Sequence, residues 1–176
     1  MNAIKVPTKE QVPPGSRKYF DYFTEKLGMM PNLYAVLAYS EPGISSYFQF
    51  QRRERFLDRR ESEIVSIVVS AMHESDYCLE MHTMIAKLNG LDDVQISEVK
   101  EGTAGFDRRL NALARLAYSI LSNKTRADEA VLDEFFEAGY RFPHLLDAAM
   151  IIADNVISNI VSNIVHLPAD TCGYEG

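Results

Sequence analysis

Residues 59–75 read RRESEIVSIVVSAMHES, and the conformation of this stretch decides the class of the fold. Its centre, IVSIVV, is β-branched and on propensity alone suits a strand. The spacing argues otherwise. Ile64, Ile67, Val68 and Ala71 fall at i, i+3, i+4 and i+7, which lays one apolar stripe along a helix. Arg59, Arg60 and Glu61 just upstream are good helix formers. The stretch therefore reads as a helix, and no other segment supplies a strand–helix alternation. The expected class is all-α.

Outward from there, the chain punctuates itself. Ser75-Asp76 offers an N-cap for YCLEMHTMIAKL, and Asn89-Gly90 ends that helix. A short helix is expected over 92–101, followed by a Gly102–Gly105 break. Asp107 caps a helix through Leu110, Leu113, Ala114, Ala117 and Leu121. A further helix covers 128–138, with Val131, Leu132, Phe135 and Phe136. Upstream, residues 1–15 hold Pro7, Pro13, Pro14 and Gly15 and read as an extended arm. Ser16 is placed to cap a helix through Tyr19, Phe20, Phe23 and Leu27, stopped by Gly28. Pro31 opens the next helix, with Leu33, Val36 and Leu37 on its buried face. Glu41-Pro42-Gly43 reads as a break before Ile44, Tyr47 and Phe48 restart the period.

The last helix, opened by Pro143 and running to about Val165, is unusual. Its apolar pairs at 152/153, 156/157, 160/161 and 164/165 recur every four residues, so the stripe drifts around the helix. So wide an apolar arc calls for more than one neighbour, and another subunit could supply one of them. Asn155, Asn159 and Asn163 are expected on the remaining face. The domain plan is an arm (1–15), one all-α domain (16–168) and a tail (169–176).

Composition narrows the function. The 176 residues are 47% hydrophobic and 24% charged, with a net charge of −7, which suits a globular domain rather than a disordered or collagenous chain. The acidic balance argues against nucleic acid. QRRERFLDRRE (51–61) is a local exception, but Glu54, Asp58 and Glu61 interleave its arginines, so it reads as a solvated helix face with internal ion pairs. The longest uninterrupted apolar run, 148–153, is far below the ~20 residues of a membrane span, and the first fifteen residues lack a signal-peptide core. No membrane association and a cytoplasmic location are the expectations. Two cysteines, Cys78 and Cys172, are too few for a disulfide framework and suit a reducing compartment.

One region concentrates reactive groups: Glu63, His73, Ser75, Tyr77, Cys78 and His82. With Ser75 or Asp76 as N-cap, Cys78 lies in the first helical turn, where the positive end of the helix dipole favours a thiolate. His82 follows at i+4 on the same face and can take the thiol proton. Glu63, on the preceding helix, can orient the imidazole if the two helices pack as a hairpin. Two other readings use the same residues. Cys78 can be an ordinary buried thiol, with Tyr77, Met81, Met84 and Leu88 as core. Alternatively Glu63, His73, Cys78 and His82 are ligand types, though no second Cys–His pair completes a zinc set. His144 and His166 read as structural or surface residues.

Glu63 followed by Ser75-Asp76-Tyr77-Cys78-Leu79-Glu80-Met81-His82-Thr83 and Gly90 resembles the alkylhydroperoxidase D-like / carboxymuconolactone decarboxylase family. Its peroxidase branch carries Glu and then Cys-x-Tyr-Cys-x-x-x-His, the first Cys twelve residues on. Here Glu63, Tyr77, Cys78 and His82 match, and Ser75 replaces that first Cys. Gly28-Met29-Met30-Pro31-Asn32 and Glu137-Ala138-Gly139-Tyr140 also resemble family segments, so the likeness extends over most of 28–168. The resemblance implies an all-α homo-oligomer, a trimer or hexamer, with Cys78 as peroxidatic residue and Glu63 and His82 as its proton relay. Without the first Cys, the implied enzyme is a one-Cys peroxidase needing no cofactor or metal beyond an external thiol reductant, or using Cys172 to resolve. The alternatives are an acid–base enzyme of decarboxylase type acting on a small lactone or carboxylate, and a non-catalytic oligomeric binding protein.

Overall fold

A computed structural model describes residues 4–170, and in it residues 59–72 are helical. The helix α4 (Arg59–Met72) starts at Asp58, whose side chain accepts from the Glu61 amide at 2.8 Å while the Glu61 carboxylate accepts from the Asp58 amide at 3.0 Å. This capping box settles the local choice, since a strand offers those amides no such partners. The β-branched run has a different cause. Ile64, Val65, Ile67, Val68 and Val69 are all fully buried. The run is apolar because α4 is surrounded, and each such side chain contributes roughly 1.5–3 kcal/mol by leaving water.

The remaining helices are α1 (Arg17–Leu27), α2 (Asn32–Leu37), α3 (Glu41–Gln51), α5 (Asp76–Leu88), α6 (Asp93–Lys100), α7 (Arg108–Ser122), α8 (Glu129–Glu137) and α9 (Phe142–Val165). Two short 3-10 turns, Lys9–Gln11 and Pro14–Ser16, precede them, and no strand occurs among the described residues. The chain divides into two compact units, one of residues 1–53 with 160–176 and one of 54–159. In the 54–159 unit, α4 packs against α5, α6 and α7, and α7 against α8. Their core joins Ile64, Ile67 and Val68 to Val99, Leu113, Leu116, Phe135 and Ile151. The other unit has its own aromatic core of Tyr19, Phe20, Phe23 and Ile44, with Phe48 meeting Tyr22 and Phe23 edge-on.

Several local expectations are corrected. Ser16 precedes α1 but makes no capping bond, because Pro14–Ser16 already forms a turn that leads into the helix. Glu41-Pro42-Gly43 is not a break. It is the first turn of α3, capped by Ser40, whose hydroxyl accepts from the Gly43 amide at 3.1 Å; a proline there gives up only a donor with no helical partner. The arginine-rich stretch is not a helix face either. Residues 52–58 form a connection, with Asp58 and Glu61 used as cap and counter-cap of α4. Arg53 lies over the Phe50 ring at 4.3 Å, and Arg55 pairs with Asp154 at 3.8 Å. Leu88 is 75% exposed rather than core.

The largest correction concerns α9. Asn155 and Asn159 are buried, not turned outward. Asn155 donates to Ser66 Oγ (3.0 Å) and Asn159 accepts from Ser70 Oγ (3.4 Å), so α4 and α9 meet through a polar ladder. Burial of these amides requires such partners. By length and composition α9 could cross a membrane, although no uninterrupted apolar run suggested it. Less than half of its most apolar window is buried in the protein.

Candidate active site

Glu63 and Cys78–His82 come from consecutive helices, α4 and α5, which pack side by side as the hairpin reading requires. The link between them is tight. Residue 74 sits in the left-handed region (φ 50°), and the Ser75 amide donates back to Ser70 O at 3.0 Å, folding the chain directly from α4 into α5. Ser75 holds the N-cap position and is fully buried, without a side-chain capping bond. Cys78 is in the first turn and 3% exposed; Tyr77 beside it is 8% exposed.

His82 Nδ1 lies 2.7 Å from Glu63 Oε2, and both side chains are mostly withdrawn from solvent. A carboxylate at Nδ1 favours the tautomer with the proton on that nitrogen, leaving Nε2 as the working base. Cys78 and His82 are four residues apart on α5, a spacing that puts them on one face of the helix. The structure thus joins His82 to Glu63, four residues beyond Cys78 on α5; a thiol, a base and a carboxylate that orients the base are the parts such a site needs. This is the arrangement that activates a nucleophile.

His73 does not join them. It closes α4 as its C-cap, and its Nδ1 accepts from Asn159 Nδ2 at 3.2 Å. Desolvation holds its pKa below the usual imidazole value, which agrees with an accepting, neutral ring. His144 is structural: its Nδ1 accepts from the Arg141 amide at the start of α9. His166 is exposed just past the end of the same helix. Cys172 lies outside the described residues. Among those described, no three His, Cys, Asp or Glu side chains gather as a metal site.

Sequence reasoning missed the supports. Asp147 of α9 is buried and accepts from the amides of Phe56 and Leu57, pinning the connection ahead of α4. Glu61 accepts from Arg109 Nε at 3.0 Å, and the Arg109 guanidinium lies 4.0 Å from the Tyr140 ring centre. Burial pushes the Tyr140 phenol well above its ordinary pKa, with Glu61 adding to the effect and Arg109 opposing it. An acid amid an apolar pattern was the only available signal. A surface hollow of about 140 Å³ between α7 and α8 is lined by Arg108, Asn111 and Glu134, and contains none of the three site residues.

Residues 47–118 match the carboxymuconolactone decarboxylase family. No curated protein matches the chain by sequence. The fold superposes on a peroxidase-related protein with an alkylhydroperoxidase AhpD core from Ralstonia eutropha JMP134 (TM-score 0.84, 20% identity, 96% of this chain and 92% of that one). A peroxidase-related protein from Silicibacter sp. TM1040 is similar (0.83, 21%, 96% and 92%). So is the debrominase Bmp8, as a cysteine-to-alanine variant in complex with 2,3,4-tribromopyrrole (0.76, 16%, 97% and 94%). One fold thus serves more than one chemistry. Residues 47–118 are thus similar to the carboxymuconolactone decarboxylase family, and the chain has an all-α, alkylhydroperoxidase D-like fold.

Proposed function

We propose that the chain is a thiol-dependent, one-Cys peroxidase in which Cys78 reduces a hydroperoxide. The observation that carries this reading is the 2.7 Å contact between His82 and Glu63, one helical turn behind a cysteine in the first turn of α5. The likeness to peroxidase-related folds supports it. His82 takes the Cys78 proton and Glu63 stabilises the imidazolium. The thiolate attacks the terminal peroxide oxygen, the O–O bond breaks, and the departing alkoxide takes the proton from His82, giving a sulfenic acid and an alcohol. Two external thiols then return the sulfenic acid to the thiol, releasing water and a disulfide. Ser75 cannot act as a resolving thiol, so the resolving thiol is external or is Cys172, and in the latter case an external dithiol reduces the Cys78–Cys172 disulfide.

The test is consumption of an organic hydroperoxide by the purified chain with a dithiol, alongside sulfenate trapping at Cys78. Turnover and trapping are expected in the wild type and neither in Cys78→Ser. Absence of turnover, with Cys78 alkylating no faster than free cysteine, refutes the reading. The family match favours one second reading, acid–base chemistry by His82 and Glu63 on a small lactone or carboxylate. Lactone turnover that survives Cys78→Ser would establish it.

A further inference from the structure

His73, Glu74 and Ser75 alone join the helix that carries Glu63 to the helix that carries Cys78 and His82. So short a link sets where α5 begins, and a slip of one residue would turn each α5 side chain by about 100°. The 2.7 Å contact between Glu63 and His82 therefore depends on the link holding its shape. Its middle residue, Glu74, lies at φ 50°. Glycine adopts that left-handed conformation freely, whereas the Cβ of any other L-residue crowds the following carbonyl. Such a residue persists only where its surroundings over-determine it. Glu74 itself is exposed, so its own side chain is not what holds the turn.

Its neighbours are tied together on both sides. Ser70, fully buried in the last turn of α4, makes two of the ties. Its carbonyl accepts from the Ser75 amide at 3.0 Å, and its hydroxyl donates to Asn159 Oδ1 at 3.4 Å. Asn159, 1% exposed, donates in turn from Nδ2 to His73 Nδ1 at 3.2 Å. Residue 75 is thus fastened through the backbone and residue 73 through α9. An amide suits this place because one planar group offers an acceptor to the hydroxyl and a donor to the ring.

One turn earlier on α9 the same helices meet through a rung without that reach. Asn155 is also buried, but its amide donates to Ser66 Oγ at 3.0 Å and to Ile151 O at 2.9 Å. Ser66 lies inside α4, away from the link. The two asparagines therefore fasten the same helix pair, and of the two it is Asn159 that grips the turn between Glu63 and Cys78.

We propose that Asn159 is a positioning residue for the Cys78 site: by bridging Ser70 and His73 it holds Glu74 in its left-handed conformation and so fixes where α5 begins. Its consequence for peroxide chemistry rests on the peroxidase reading above; the brace on the turn does not.

Two measurements on the full chain separate these. Amide hydrogen exchange at Ser75 reads the brace, and Asn159→Ala is expected to speed it by about tenfold relative to amides in α7. Sulfenate trapping at Cys78 reads the consequence, and the same variant is expected to slow it by about 10- to 100-fold, as small misplacements of reacting groups do. Asn155→Ala is expected to do neither. Adding Glu74→Gly to Asn159→Ala is expected to recover most of the lost rate, because glycine needs no brace to hold that conformation. If Asn159→Ala does not fold, His73→Ala removes the same bond from its half-buried end and is expected to give the same pair of changes. Unchanged exchange at Ser75 overturns the proposal, as does equal acceleration in both asparagine variants, which marks a general loosening of α9. A Glu74→Gly change that recovers nothing overturns it too. A wild type that forms no sulfenate refutes the peroxidase reading alone, and exchange at Ser75 then decides the brace by itself.

Discussion

Replacing Glu61 probes how α4, and Glu63 upon it, is held in place. The Glu61 side chain, 9% exposed, makes two bonds at once: it accepts from the Asp58 amide at 3.0 Å and from Arg109 Nε at 3.0 Å. Loss of a capping interaction costs about 1 kcal/mol. The arginine bond is charge-assisted and worth roughly 1.5–3 kcal/mol when buried. Arg109 is 42% exposed, so solvent screens the pair and about 1 kcal/mol is the better figure. Glu61→Ala should therefore destabilise by about 2 kcal/mol, or roughly 4–8 °C in Tm for a chain of this size. Glu61→Gln keeps an acceptor for the Asp58 amide and loses only charge, so about half that loss is expected. Urea and thermal unfolding followed by circular dichroism measure both. Equal losses for Gln and Ala, or an Ala variant within ~0.5 kcal/mol of wild type, the range of a neutral surface change, would refute the two-bond account. A cycle with Arg109→Met should recover a coupling close to the charge-assisted part.

Three further outcomes are expected. Glu63→Gln should slow alkylation and peroxide reaction of Cys78 by about 10- to 100-fold with little change in Tm, as loss of a group orienting a working histidine does; unchanged rates would remove Glu63 from the site. Desolvation holds His73 below its unfolded pKa, so the unfolded chain binds more protons, and stability should fall as pH drops through 6.5 toward the folded value. His73→Gln should flatten that slope in unfolding measured between neutral and mildly acid pH, and an unaltered slope would exclude His73. Asp147→Ala orphans the amides of Phe56 and Leu57 and should cost about 2–4 kcal/mol at roughly 1–2 per group, read by urea unfolding; a loss under ~1 kcal/mol would mean that water replaces the carboxylate.

What was legible in the sequence was periodic or local. The spacing of Ile64, Ile67, Val68 and Ala71 identified α4 against its β-branched composition. Asp107 and Gly28 marked helix ends through side-chain and backbone chemistry that acts within a few residues. Cys78 and His82 could be placed on one face because i and i+4 on a helix are neighbours whatever surrounds them.

Other features depended on what packs against each helix. Whether Glu63 reaches His82 turned on how α5 folds back along α4, which the left-handed residue 74 and the Ser75–Ser70 bond decide. Which side of α9 faces inward could not be read from hydropathy. Amides and carboxylates are cheap to bury only where Ser66, Ser70 and the amides of residues 56 and 57 wait for them. The sequence by itself determined the helical class, the order of most helices and the i,i+4 spacing of Cys78 and His82, because those follow from bonds and contacts within one or two turns. Only the tertiary structure decided that Glu63 meets His82 and that α9 buries Asn155 and Asn159 alongside Ile151, because both depend on partners far away in the chain.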